Sequence, residues 1–293
     1  MKRTIFLLIN LLNSVLMQAQ SFEVKTNGDA KLLGQWTISK LRTDPYNLWF
    51  DQNYTEYQPI KKELKNLAKG INTFDSITVF LGTWCGDSQR EVPRLIKSLE
   101  QTEFNLEKLK LICVDRTFQN YKQSPGREES GLNIHRVPTV IFHHNEEEVG
   151  RIVESPKNTL AQDIIQIASG QDYVPNYSAV TLLNNLFKNE GFQYVKDNET
   201  RIIYELEGQV TNKYELNTYG LVLFSSFQLA EANIVYEFNK KLFPNEPLTY
   251  FSLGKFEAMS GDFELAATDL KRASELAPND EHIRSYFEKV RRK

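Results

Sequence analysis

The residues Ile77-Thr78-Val79-Phe80-Leu81 form a short β-branched and aromatic run that ends at Gly82. Such a run predicts a buried strand. Trp84-Cys85-Gly86 follows at once and opens a helical pattern, with Val92, Leu95, Ile96 and Leu99 on one face. A cysteine at the joint of a strand and a helix lies beside unpaired backbone N–H groups and the positive end of the helix dipole. Both favour the thiolate, which is the nucleophilic form. The same position also suits a structural cysteine packed under Trp84, and spacing alone leaves both readings open.

Trp84-Cys85-Gly86, with Pro93 eight residues after the cysteine, resembles the active-site segment of the thioredoxin family. A second element is similar to that family's cis-proline loop and the hairpin behind it. It is Arg136-Val137-Pro138-Thr139-Val140-Ile141-Phe142, then a polar turn and Glu148 to Val153. The resemblance spans Phe74 to Gly170 and implies an α/β thioredoxin-like domain, a central mixed sheet flanked by helices. It implies Cys85 as the reactive thiol, Trp84 as its shield and Pro138 as a cis residue beside the sulfur. Val137 and Arg136 would border a groove in which the Val137 backbone pairs with an extended partner. Alone, a Val-Pro at a strand start is an ordinary trans edge proline. His135 and Arg136 flank the groove as surface residues or as groups that tune the thiolate.

Two positions depart from the family's pattern. Ser88 stands where the second cysteine of the dithiol motif belongs, and Val79 replaces the buried acid of the preceding strand. A serine cannot attack a mixed disulfide, so a resolving step by this residue is lost. Its hydroxyl is expected to donate a hydrogen bond to a Cys85 thiolate.

Lys2-Arg3 and the interrupted apolar run from Thr4 to Met17 read as a secretory signal peptide over residues 1–20, cleaved around Ala19 to Gln20. That reading makes the protein exported, periplasmic or secreted. A formal net charge of −3, more acidic still without Lys2 and Arg3, argues against nucleic acid as a partner. No stable membrane insertion is expected after signal removal. Two cysteines, Cys85 and Cys113, are few for an exported protein that relies on disulfides. Cys113 falls within Leu109 to Asp115, a central strand by composition, and reads as a core thiol. The alternative makes it the partner that resolves a Cys85 disulfide.

Residues 21–73 read as a helical extension, with an aromatic-dense segment from Asp44 to Tyr54 and a helix-period segment from Ile60 to Ala68. Tyr121 to Gly126 reads as a surface loop, and Thr159 to Ala168 as a helix. His143 and His144 are strand neighbours that point to opposite faces, so they read as part of a solvated turn and not as metal ligands. No cofactor or metal is implied.

Past Gly170, two segments align at a spacing of 34. Gly220 matches Gly254, Ala232 matches Ala266, Tyr236 matches Leu270, and Pro244-Asn245 matches Pro278-Asn279. The second segment resembles the tetratricopeptide repeat. Small residues belong where two helices cross closely, large ones fill the gap, and proline ends the pair. Residues 171–212 read as a helical connector and 213–293 as an all-α region of two repeats and a capping helix, with Gly191 to Gln209 unassigned. The expected function is thiol–disulfide exchange through one cysteine, with protein or small-thiol partners, coupled to a repeat module that binds proteins. The alternative is a protein-binding scaffold without redox activity.

Overall fold

The computed structural model describes residues 21–26 and 29–293. The expected signal peptide lies outside the described residues. Six strands form one mixed sheet: β1 (Phe22–Thr26), β2 (Asp29–Trp36), β3 (Ser76–Leu81), β4 (Leu109–Cys113), β5 (Thr139–His144) and β6 (Glu147–Val153). Their order is β1-β2-β4-β3-β5-β6. Only β3 and β4 run parallel, with Val79 opposite Leu111 and Leu81 opposite Cys113. A parallel pair needs a crossover, and the 15-residue helix α4 (Gly86–Glu100) supplies it. Numbered in chain order, the three helices before α4 are α1 (Ile38–Leu41), α2 (Asn47–Glu56) and α3 (Lys61–Gly70), and α5 (Leu160–Ala168) follows β6.

The pleat of β3 sorts its side chains between two cores. Ile77, Val79 and Leu81 join Phe50, Leu67, Val92, Leu95, Ile96, Ile164 and Ile167 on the face covered by helices α2 to α5. Phe80 points the other way, with Ile112, Val114, Ile134, Val137 and Ile141, beside the half-buried Trp84 and Cys85. The alternation therefore puts the bulk of the hydrocarbon behind the sheet and leaves the cysteine at the end of the thinner front core.

The segment 21–73, expected as a helical extension, opens instead with two strands. Residues 22–26 and 29–36 form β1 and β2, and β2 adds antiparallel to β4, pairing Gly34 with Cys113 and Trp36 with Leu111. Without β2 the edge of β4 would present unpaired backbone groups. The following residues are helical, and their aromatics do pack: Tyr46 and Phe50 are buried in the rear core. Lys97 of α4 reaches back to donate to the carbonyls of Tyr54 (2.8 Å) and Tyr57 (2.6 Å). That places a cation on the C-terminal end of α2, where the helix dipole favours one.

All regular structure after residue 170 is helical. The connector holds α6 (Ser178–Asn189), and the unassigned stretch forms the short helices α7 (Phe192–Asp197) and α8 (Glu199–Glu207). Two antiparallel pairs follow, α9 (Lys213–Ser225) with α10 (Leu229–Leu242) and α11 (Pro247–Ser260) with α12 (Phe263–Leu276), closed by α13 (Glu281–Val290). The 34-residue equivalence is visible in their crossings. A Cβ on Gly220 would lie 2.8 Å from the Tyr236 ring, and one on Gly254 would lie 2.8 Å from Leu270. No helix among the described residues is long and apolar enough to cross a membrane.

The helical region packs against the front of the sheet through the long loop between β4 and β5. Gln123 Nε2 donates to the Ser225 carbonyl (2.6 Å), and the Ser225 hydroxyl donates to the Phe118 carbonyl (3.0 Å). Phe118 and Phe224 rings meet at 5.4 Å. The expected surface loop is thus an inner layer, with Lys122, Gln123 and Ser124 buried. Its polar composition concealed this, because backbone and side-chain partners from α9 replace the water its residues would otherwise bind.

Candidate functional site

Cys85 is the N-cap residue of α4, in extended conformation, with its sulfur half-buried. Its N–H donates to the Gly82 carbonyl (2.9 Å), closing the turn, and its carbonyl accepts from Gln89 N–H (2.9 Å) as the helix begins. Thr83 is locked from both sides: its hydroxyl accepts from Leu32 N–H (3.1 Å) and its carbonyl from Gln89 Nε2 (2.8 Å). The strand β2 that sequence reasoning missed therefore helps hold the cysteine turn.

Trp84 folds back over Gly82, where an added Cβ would sit 2.6 Å from the indole. Its Nε1–H donates to the Val114 carbonyl (2.9 Å). The glycine is required here by close approach, since any side chain would push the indole off the turn.

Ser88 does not meet its expectation. It is fully buried, and its hydroxyl accepts from Gly82 N–H (3.1 Å). No hydrogen bond joins it to Cys85 among the described residues. Three residues into a helix whose inner face is apolar, the side chain points down to the strand end and not out to the sulfur.

The Val137–Pro138 peptide bond is cis, and this loop does lie against the cysteine. The Cys85 thiol donates to the Val137 carbonyl (3.3 Å).

Arg136 and His135 are not surface residues flanking an open groove. Arg136 pairs with Glu154 (3.3 Å), donates to the Tyr214 carbonyl at the start of α9 (3.2 Å), and lies 4.5 Å from the centre of the Tyr177 ring. Tyr177 in turn donates its hydroxyl to Glu154. His135 is only 2% exposed, with edge contacts to Tyr177 and Tyr219. Its Nδ1–H donates to the Asn133 carbonyl (3.2 Å), and burial first of all pushes its pKa down to about 3. The ring is thus neutral, and its Nε2 lone pair has no partner.

A residue absent from the sequence-based list completes the site. Lys122 is 5% exposed, and its ammonium lies 5.1 Å from the centre of the Trp84 ring and 5.0 Å from that of Tyr121. Within a polar loop nothing in the sequence marks this lysine.

The second cysteine is of another kind. Cys113 is fully buried in the rear core, and burial alone pushes its thiol pKa up beyond any physiological range. Both cysteines are free.

A cavity of about 830 Å³ lies between the open side of β6, the 131–135 loop and α6, lined by His135, Asn133, Arg151, Asn184, Asn185 and Tyr219 among others, and Cys85 is not part of its wall. Among the described residues, three carboxyl groups also converge in the helical region, those of Glu237, Glu257 and Asp269. Lys240 already pairs with Glu237 (3.1 Å) and Asp269 (3.2 Å) there. His143 and His144 belong to no such group, and His144 Nδ1 lies 2.7 Å from the Thr73 carbonyl. No family model, curated protein or solved structure matches the chain.

Proposed function

We propose that the chain is a thioredoxin-like protein that carries out thiol–disulfide exchange through the single thiol of Cys85, with a tetratricopeptide-like helical region packed against it. The observation that carries this reading is the contact of the Cys85 sulfur, at the mouth of α4, with the carbonyl of the residue preceding cis-Pro138. A strand-to-helix turn, a half-exposed sulfur and a proline loop within 3.3 Å are the parts such exchange needs. The Cys85 thiolate attacks a disulfide sulfur of the partner, the partner's S–S bond breaks, and one half leaves as thiolate. The other half stays bound to Cys85 until an external thiol displaces it, because Ser88 cannot. The N–H of Val137 has no hydrogen-bond partner among the described residues, and in this reading it pairs with an extended chain once the buried loop opens. The export expected from the N-terminal run would place this chemistry in an oxidising compartment.

The test is incubation of the full chain with oxidised glutathione, followed by mass spectrometry. One glutathionyl group is expected on Cys85, removed again by dithiothreitol, with Cys113 unmodified. A chain that stays unmodified at Cys85 while the small disulfide is in large excess would overturn the reading.

A second reading, a scaffold whose Cys85 is incidental, draws support from the cavity beside β6. Its wall includes His135 and Asn133, whose Nε2 and Oδ1 atoms are buried with no hydrogen-bond partner among the described residues. An inert Cys85 in the glutathione experiment favours this alternative.

A further inference from the structure

Residues 135–137, which lead into the cis-proline beside Cys85, are shut in from the helical side. His135 lies edge-on to the rings of Tyr177 and Tyr219, and both His135 and Val137 are buried. Arg136 between them is clasped by the Glu154 carboxylate (3.3 Å), the Tyr214 carbonyl (3.2 Å) and the face of the Tyr177 ring. The Tyr177 hydroxyl closes the circuit on Glu154, whose own N–H donates to the Pro138 carbonyl (2.7 Å). The circuit thus ties the cis-proline loop to two points of the helical region, Tyr177 ahead of α6 and Tyr214 in α9. The chain just before α6 is strapped down as well, with Tyr173 donating to Asp163 (2.7 Å) and Asn176 to the Ser155 carbonyl (2.9 Å). Both partners of the central contact stand in left-handed backbone, Glu154 at φ 65° and Tyr177 at φ 66°, where a residue with a Cβ is uncommon. Holding the clasp shut therefore costs backbone strain, as segments poised to switch often do.

An extended partner that pairs with the Val137 N–H needs this loop uncovered. We propose that the clasp of Tyr177, Glu154 and Arg136 is an autoinhibitory contact. Closed, it keeps the chain's own helical region on the proline loop; released, it lets a disulfide carried on an extended peptide reach Cys85. The rest of the joint need not part for this. The Gln123–Ser225 hydrogen bond and the Phe118–Phe224 contact belong to the loop between β4 and β5, and they hold the helical region in place while residues 173–177 swing clear. A small disulfide needs no strand pairing, and the sulfur is half-buried and not sealed, so the clasp discriminates against long partners far more than against short ones. The inference rests on the exchange chemistry proposed above and names what regulates it.

Tyr177→Phe and Glu154→Gln, each in the full chain, test this. The first keeps the ring and removes only the hydroxyl; the second removes the charge that holds Arg136. Two probes share one leaving group: the mixed disulfide of thionitrobenzoate with an extended peptide of about nine residues, and that with mercaptoethanol. In both, the Cys85 thiolate bonds to the carrier's sulfur, the S–S bond breaks, and thionitrobenzoate leaves with the electron pair. Each variant is expected to speed the peptide probe roughly tenfold, the worth of one hydrogen bond to a charged group. The small probe should gain less than about twofold, since it does not wait for the loop to open. Hydrogen exchange at the Val137 N–H, followed by NMR, should quicken by a factor similar to the peptide probe's, and this readout does not depend on Cys85. Glu154→Gln keeps the test open if Tyr177→Phe folds poorly. Equal acceleration of both probes, labelling of Cys113 at the same pace, or an unmoved peptide rate beside a reacting small probe overturns the inference and leaves exchange at Cys85 standing. A Cys85 inert to both probes in all three proteins overturns the exchange reading and the inference with it.

Discussion

Cys113 ends β4 and Cys85 follows its parallel neighbour β3, and their environments have almost nothing in common. Cys113 ends β4, opposite Leu81, with its sulfur sealed among rear-core side chains. Cys85 lies four residues beyond Leu81, past the end of that strand, where the chain has left the sheet but the helix has not begun. The backbone between them turns a small hydrophobe into a candidate nucleophile. The comparison teaches that reactivity here belongs to the joint between elements, where N–H groups are unpaired and solvent reaches the side chain, and not to the residue type.

The widest expected gap is between the two thiols themselves. Alkylation of the folded chain near neutral pH should modify Cys85 faster than Cys113 by a factor on the order of 1,000, since Cys113 reacts only through opening of the core. Peptide mapping after timed quenching measures this, and comparable rates would erase the distinction. Next in size is acid sensitivity on the front of the sheet. His135 is held neutral with its pKa pushed down to about 3, so the unfolded chain binds the extra proton between about 6.5 and 3. Stability is therefore present above about 6.5 and lost as pH falls through that window. The loss should reach roughly 2–3 kcal/mol near pH 4.5, read from denaturant midpoints, and His135→Gln should flatten the slope.

Gly82→Ala probes the turn itself. The new methyl collides with the Trp84 ring, so a cost of about 2 kcal/mol is expected, with Cys85 alkylation altered and Cys113 still silent. If Cys113 became reactive too, the two environments would be coupled through the core. The smallest effect belongs to Ser88→Ala, which leaves Gly82 N–H without its acceptor at a cost of about 1 kcal/mol. Because the hydroxyl is taken by Gly82 N–H, the rate of Cys85 alkylation should not move. A shift there would mean that Ser88 reaches the thiolate after all.

Much of the frame was legible from residue patterns. The strand β3, the helix α4 and the hairpin of β5 and β6 follow from runs and periods that local physics imposes. The 34-residue echo of Gly220 in Gly254 likewise foretells two crossings where a Cβ would not fit. Other features were not legible, for identifiable reasons. The strands β1 and β2 lack a strong alternating pattern, because β2 is specified by the unpaired edge of β4 more than by its own residues. Ser88 could be counted three residues from Cys85, but the rotation of α4 that buries it is set by Val92, Leu95 and Ile96 packing on the sheet.

By itself, then, the amino-acid order determined where the chain changes from strand to helix, which side of each element is apolar, and that one cysteine stands at such a change. Local sterics and hydrophobic period suffice for these, and they act between residues close in the chain. Only the tertiary structure decided what surrounds the Trp84-Cys85 turn: Lys122 over the indole from a distant loop, Val137 against the sulfur, and α9 pressing the loop inward through Gln123 and Ser225. Those partners meet because distant apolar surfaces are buried together, and no local pattern encodes which polar groups that burial will trap.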